Sequence, residues 1–211
     1  MRKKLKELSF DSAIYGASGV IAKIIGFVLL PVYTRYLTEA EYGALAMFAF
    51  ITLLFVPLSN LGMTNAIFRR FSLAVSQEER QRVLSTGLIS IITASFIFGT
   101  ITFYFAGPIN EVLTGKSIYL EVCRVSIVTA VFASISAVPL VILRAERRVT
   151  MVATINIVKL LATVSLSIFL VVFQEYGIRG IIWANLLGEI VSLTFAFGTT
   201  MRNFSLRFSK S

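Results

Sequence analysis

Six long apolar stretches, joined by short polar segments, restrict the possible folds of this chain more than any other feature. A helix crosses the hydrocarbon core of a bilayer with about 20 mostly apolar residues, and lipid offers the backbone no hydrogen-bond partner outside a helix or a closed barrel. The sequence therefore predicts an all-α polytopic membrane protein, with residues 1–211 forming one bundle of six transmembrane helices. The predicted spans are Ile14 to Tyr33, Ala44 to Ile67, Val83 to Phe105, Val122 to Leu143, Met151 to Phe173 and Ile178 to Thr200.

Basic residues alternate with these spans and predict their orientation. Fourteen of the 20 lysines and arginines lie in the two tails and in the second and fourth connections. These are Arg2, Lys3, Lys4, Lys6, Arg69, Arg70, Arg80, Arg82, Arg144, Arg147, Arg148, Arg202, Arg207 and Lys210. The opposite connections hold only Arg35, Lys116 and Arg179. Because short cytoplasmic loops are enriched in Lys and Arg, both termini are expected in the cytoplasm.

The composition excludes several classes of protein. Hydrophobic residues make up 56% and charged residues 15% of the chain, against about 25% charged residues in soluble domains. The net charge of +9 is explained by anionic lipid headgroups and insertion topology, so no nucleic-acid partner is expected. With no histidine and the single cysteine Cys123, the chain predicts no catalytic histidine, no metal site and no cofactor.

Five charged residues fall within or at the edge of the spans, where charge is costly and often functional. Glu121 and Arg124 are one helical turn apart at the outer start of the fourth span, which predicts a local ion pair. Lys23, Lys159 and Glu189 lie deeper. Counted at 1.5 Å per residue from the cytoplasmic end of each span, all three fall about 15–20 Å into the membrane.

Polar neighbours accompany these three charges and make them candidate substrate-binding residues. Asn156 shares a helical stripe with Lys159, and Asn185 shares one with Glu189. Asn60 follows Pro57 in the second span, where a proline bends a helix and exposes backbone. Two interpretations remain open: Glu189 neutralises one lysine in a buried pair that fixes helix packing, or the three helices line a cationic cavity that holds an anion.

The segment from Leu29 to Phe71 resembles the opening of a known transporter family. The residues that carry the resemblance are Pro31, Thr34, Arg35, Leu37, Glu41, Tyr42, Gly43, Leu61, Gly62, Arg69 and Arg70. This pattern is similar to the Wzx-like polysaccharide-biosynthesis flippases of the multidrug/oligosaccharidyl-lipid/polysaccharide exporter superfamily. Lys23 and Gly26 also resemble the first helix of the related lipid II flippases, which carry a basic residue at that place.

The resemblance implies a function and a set of partners. It implies a flippase in a bacterial or archaeal cytoplasmic membrane that moves polyprenyl-diphosphate-linked sugars through a cationic cavity. Lys23 matches a basic position of that family, and Arg35, Glu41 and Gly43 match its loop motif, whereas Lys159 and Glu189 rest on depth alone. Family members carry twelve to fourteen spans in two lobes, so the chain corresponds to an N-terminal six-helix lobe. It is expected to be a fragment, or to pair with itself or with a partner chain.

Three other functions remain as alternatives. A drug or cation exporter favours acidic residues in its cavity, and Glu189 is the only candidate. A membrane-embedded enzyme needs clustered carboxylates or a large catalytic loop, and the longest connection, Phe68 to Arg82, has about fifteen residues. A non-transporting membrane scaffold is the third alternative. The sequence therefore favours a non-enzymatic transporter.

Overall fold

The described part of the chain is helical. The computed structural model describes residue 20 and residues 23–205, with side chains through residue 200. Helix α1 covers residues 23–36. It is followed by α2 (Glu39–Asn60), α3 (Met63–Leu73), α4 (Gln77–Tyr104), α5 (Ala106–Thr114), a 3₁₀ turn (Ser117–Tyr119), α6 (Leu120–Ala145), α7 (Val149–Ile168), a π turn (Phe169–Phe173) and α8 (Gly177–Ser205).

Five helical segments of the described chain are long and apolar enough to cross a membrane. They are Glu39–Asn60, Gln77–Tyr104, Ser117–Ala145, Val149–Phe173 and Gly177–Thr200. They confirm the all-α membrane class and agree with five of the six predicted spans. The start of the first predicted span, from Ile14, lies outside the described residues, as do the basic residues of both tails apart from the backbone of Arg202.

Capping motifs set the beginnings of two of these helices. At α2, the Thr38 hydroxyl accepts a hydrogen bond from the Glu41 amide (3.3 Å), and the Glu41 carboxylate accepts one from the Thr38 amide (2.9 Å). Ser76 and Glu79 form the same reciprocal pair at α4. Each pair satisfies backbone donors that a helix end leaves open. Glu41, which the sequence placed in a loop motif, thus has a structural role at a helix start.

The second predicted span is broken where the sequence indicated one continuous helix to Ile67. Helix α2 ends at Asn60, and Leu61 (φ 43°) and Gly62 (φ 73°) both adopt the left-handed conformation before α3 begins. Pro57 lies one turn before the break and provides no amide to the helix. Left-handed backbone at two successive residues cannot continue a right-handed helix, so the prediction of a single helix was wrong.

Helix α3 nevertheless continues in the direction of α2. Phe55, before the break, packs against Phe98 of α4 with 5.1 Å between ring centroids. Ile67, after the break, lies against Gly87 of the same helix. Twelve residues across the break therefore match eleven residues of α4, which is the spacing of two antiparallel helices. The span is one path made of two helical pieces.

Helix α6 is the centre of the bundle. Of its most apolar stretch 61% is buried, against 17% in the segment that contains α7. It contacts α2, α3, α4 and α8, while α7 packs mainly on α8. We call the end of the bundle where α3 joins α4 and α6 joins α7 the basic end, because seven of the arginines in the two connections lie there.

Candidate functional site

The deep lysine of α7 and the deep glutamate of α8 form an ion pair. The ammonium of Lys159 contacts the Oε2 atom of Glu189, and Glu189 Oε1 accepts a hydrogen bond of 2.6 Å from the Ser136 hydroxyl of α6. We call these three side chains the Lys159–Glu189 network. It joins the three helices at the core of the bundle, and both carboxylate oxygens have a partner.

The two charges differ in their exposure. Glu189 is buried, with 3% of its surface exposed, whereas 37% of the Lys159 side chain is exposed. A buried carboxylate needs a counterion and hydrogen bonds to remain charged, and Lys159 and Ser136 supply both. Lys159 therefore presents a cation on one side while its other side is neutralised.

The sequence did not indicate Ser136 as part of this site. A serine within a membrane helix usually bonds to a carbonyl of its own helix, and Ser136 does so with Ala133 at 3.1 Å. Its contact with Glu189 depends on how α6 faces α8, so no local pattern predicts it. The serine two positions earlier, Ser134, faces α2 instead and lies 2.8 Å from the Ser59 hydroxyl.

The polar stripe around Lys159 faces neighbouring helices rather than open space. Thr163 lies against Gly188 of α8, and the Ser167 hydroxyl is 2.8 Å from the Tyr33 hydroxyl of α1. Asn156 is half-buried on the same helix. Small and hydroxylated residues let membrane helices approach closely, which accounts for most of this stripe.

The Tyr33–Ser167 contact also relates the depths of the two lysines. Lys23 precedes Tyr33 by ten residues, and Lys159 precedes Ser167 by eight. At 1.5 Å per residue these intervals are about 15 and about 12 Å along two helices that run in the same direction. Lys23 is exposed and has no salt bridge with any described residue. The two ammonium groups thus lie at similar depth on α1 and α7.

The remaining candidate residues lie apart from the Lys159–Glu189 network. Asn185 is half-buried and lines a small cavity of about 40 Å³ between α2, α6 and α8. Asn60 is buried at the end of α2, and its Oδ1 atom has no hydrogen-bond partner among the described residues. The Ser95 hydroxyl of α4 is also buried without a partner in that part of the chain. Polar atoms therefore remain open near the break in the second span.

The residues of the loop motif occupy the opposite end of the bundle from the basic end. Arg35 is exposed at the end of α1, and Glu41 caps α2. Gly43 is exposed, and a Cβ atom at this position would have no described neighbour within 4 Å. The Glu41 carboxylate also lies beside Gly177 at the start of α8. The motif shapes the connection between α1 and α2.

The predicted local pair of Glu121 and Arg124 was wrong. Glu121 instead pairs with Arg179 at the start of α8, with 3.3 Å between Oε2 and Nη1. The Arg124 guanidinium lies 5.4 Å from the centre of the Phe103 ring. Tertiary partners on α4 and α8 replace the contact that helical spacing alone suggested.

Gly188 provides a test of how closely α7 and α8 pack beside the network. A methyl group at this position would overlap the Thr163 hydroxyl. Gly188→Ala is expected to destabilise the protein by about 1–3 kcal/mol, because over-packed helices must separate. The measurement is thermal unfolding in detergent micelles.

Two further variants test the physical cause of that loss. Adding Thr163→Ala removes the clashing oxygen and leaves neighbours no closer than 3.2 Å, so stability should return. Gly198→Ala is the matched control on the same helix, since no described atom lies within 4 Å of its added methyl. Equal losses in Gly188→Ala and Gly198→Ala would contradict the steric explanation.

Comparison with known proteins agrees with the architecture of the chain. Residues 10–211 match the family described as polysaccharide biosynthesis protein. The chain is 26% identical over 190 residues to stage V sporulation protein B of Bacillus subtilis (strain 168), an alignment that covers 86% of this chain and 36% of that relative. The chain thus spans about a third of the length of this relative. No solved structure matches the chain. The family match covers nearly the whole sequence and fits a bundle of apolar spanning helices, and the chain belongs to the polysaccharide biosynthesis protein family of membrane proteins with a flippase-like role.

Proposed function

We propose that the chain forms one side of a path along which lipid-linked oligosaccharides cross the membrane, with the diphosphate group held by Lys23 and the exposed side of Lys159. The observation that carries this proposal is the unequal exposure of the Lys159–Glu189 pair. Its carboxylate is buried and saturated, while its ammonium keeps an open side. An anionic group is the ligand that such a site attracts.

Lys23 supplies the second positive charge. It is exposed at a depth similar to that of Lys159 and lacks an acidic partner within the described residues. Two cations at one depth suit the two phosphates of a polyprenyl diphosphate, since charge-assisted hydrogen bonds to phosphate are among the strongest polar contacts. Asn156, Asn185 and Asn60 are proposed to contact the sugar or the headgroup once the path is complete.

The path requires more than these helices. The chain spans 36% of the length of its sporulation relative, and alternating access by rocking lobes needs a second lobe. We propose that this lobe comes from a longer form of the chain, a second copy or a partner chain. The positive-inside rule predicts that the basic end and both termini lie on the cytoplasmic side of a bacterial or archaeal cytoplasmic membrane.

A cation or drug exporter is the weaker candidate. Its cation would need an available carboxylate, and both oxygens of Glu189 are engaged by Lys159 and Ser136. A non-transporting scaffold gives a different result in the experiment below.

The test is charge reversal at Lys23 in the protein at its natural length, expressed in its own cells. Lys23→Glu is expected to lower export of surface polysaccharide about tenfold or more, because a repelled anion loses more than one charge-assisted contact. The lipid-linked precursor should accumulate in the membrane, and Lys23→Arg should restore export. Both polysaccharide and precursor are measured, with the amount of membrane-inserted protein as reference.

Lys116→Glu is the matched control, since Lys116 is exposed in a connection at the other end of the bundle. Equal export by the Lys23→Glu and Lys116→Glu proteins would refute the cationic path. Loss of polysaccharide without accumulation of precursor would favour the scaffold.

A further inference from the structure

A groove with an arginine-lined mouth lies between α3 and α4 at the basic end. Its volume is about 690 Å³, and Arg69, Arg70 and Arg82 contribute to its walls. An adjoining cavity of about 290 Å³ shares Arg70 and Arg82 and extends towards the membrane interior as far as Gly87. We call the two together the α3–α4 groove.

The three arginines of this groove are not neutralised by the acid beside them. The carboxylate of Glu79 is occupied at the start of α4, where it accepts hydrogen bonds from the amides of Val75 (3.1 Å) and Ser76 (3.4 Å). Within the described residues, Arg69, Arg70 and Arg82 form no salt bridge, and all three are exposed. The mouth of the groove therefore carries three positive charges that are available to an anion.

A neighbouring arginine shows what a structural role looks like in this connection. The Nε atom of Arg80 donates a hydrogen bond to the Ala74 carbonyl (3.3 Å), and its guanidinium lies 5.6 Å from the centre of the Phe71 ring. Arg80 thus holds α3 against α4. The other three arginines have no comparable contact with the described part of the chain, which leaves their charge without an internal function.

The shape of the groove fits a lipid. Helix α3 touches α4 most closely where Ile67 meets Gly87, and a methyl at 87 would lie 2.6 Å from the Ile67 side chain. From there the helices separate towards Arg70 and Arg82, over a floor that includes Met63, Ala66 and Val83. An apolar floor that leads inward from a guanidinium mouth matches an acyl chain below a phosphate headgroup.

The groove is separate from the proposed transport path. Helix α6 packs against α3 and α4 through Val138 and Ile142, and it reaches Glu189 of α8 through Ser136. The central helix therefore stands between the groove and the Lys159–Glu189 network. A lipid in this groove would act on the outer side of the bundle.

We propose that the α3–α4 groove is a binding site for an anionic phospholipid, with its phosphate between Arg70, Arg82 and Arg69 and an acyl chain along the floor. Basic pockets between membrane helices bind anionic headgroups in this way, and arginine engages phosphate with two parallel hydrogen bonds. The bound lipid stabilises the contact of the broken second span with α4. The occupant is a bilayer phospholipid rather than the transported substrate, because the groove lies on the far side of α6.

The test compares spin-labelled phosphatidylglycerol and phosphatidylcholine bound to the full chain reconstituted in lipid vesicles. The native protein should prefer phosphatidylglycerol, and Arg70→Gln with Arg82→Gln should reduce that preference about tenfold, since each basic residue contributes about 1 kcal/mol at a membrane surface. Arg147→Gln with Arg148→Gln removes the same charge at the basic end and should change the preference by less than about twofold. Equal losses in the two double variants would overturn the proposal.

Two further arms separate a lipid site from a general attraction for anions. Ala66→Phe fills the floor and keeps every charge, so it should also abolish the preference; an unchanged preference would overturn the proposal. An excess of inorganic phosphate should leave the bound lipid in place, and complete displacement would show a site for free phosphate instead. Helical content and thermal unfolding of each variant verify that the protein has folded.

Discussion

Glu189→Leu alone is expected to prevent stable accumulation of the protein in the membrane. The change leaves the Lys159 ammonium without its counterion at the core of the bundle. Removing one member of a buried ion pair costs about 3–5 kcal/mol, which is a large part of the about 5–15 kcal/mol that stabilises a typical folded protein. The lower end of that range applies here because 37% of the Lys159 side chain is exposed. The measurement is the amount of folded protein extracted from membranes, together with its unfolding temperature.

A double variant distinguishes charge imbalance from lost packing. Lys159→Met with Glu189→Leu removes both charges and keeps similar volume, and such replacements are often neutral or stabilising. Ser136 retains its hydrogen bond to the Ala133 carbonyl, so no hydroxyl is left open. The double variant should therefore fold like the native protein. If it is as unstable as Glu189→Leu alone, the network contributes through shape and not through charge balance.

The same double variant is expected to lose transport although it folds. Lys159 presents the open side of its ammonium to the proposed diphosphate, and methionine cannot replace that contact. A charge-assisted hydrogen bond contributes about 1.5–3 kcal/mol, so export should fall by about tenfold or more. The measurement is surface polysaccharide relative to the amount of inserted protein.

The control for this transport experiment is Lys159→Arg in the native background, which keeps the cation beside Glu189 and should retain export. Normal export by the double variant would show that the pair serves only to join α7 to α8, and that Lys23 alone binds the anion. These two results decide between the two interpretations that the sequence left open for Lys159 and Glu189.

The sequence predicted the positions of helices better than their continuity. Apolar length is a local property, so α4, α6, α7 and α8 begin and end within several residues of the predicted spans. The break at Leu61 and Gly62 was missed because an apolar leucine in the left-handed conformation leaves no pattern in hydropathy. Pro57 and Gly62 were the available signals, and both also occur in helices that are merely bent.

The candidate site was predicted in its residues and not in its connections. Lys159 and Glu189 were identified because deep charges are rare in apolar spans. Their mutual contact and the hydrogen bond from Ser136 depend on the rotation of three helices about their axes. Glu121 shows the same limit, since its partner is Arg179 on another helix rather than Arg124 one turn away.

The sequence by itself determined the class of protein, the approximate spans and the clustering of basic residues, because each follows from composition along the chain and from the cost of placing polar groups in lipid. Only the tertiary structure decided that Lys159 is neutralised on one side by a buried Glu189, and that three arginines meet in a groove between α3 and α4. The reason is physical: hydropathy depends on which residues a helix contains, whereas a site depends on which faces of different helices meet.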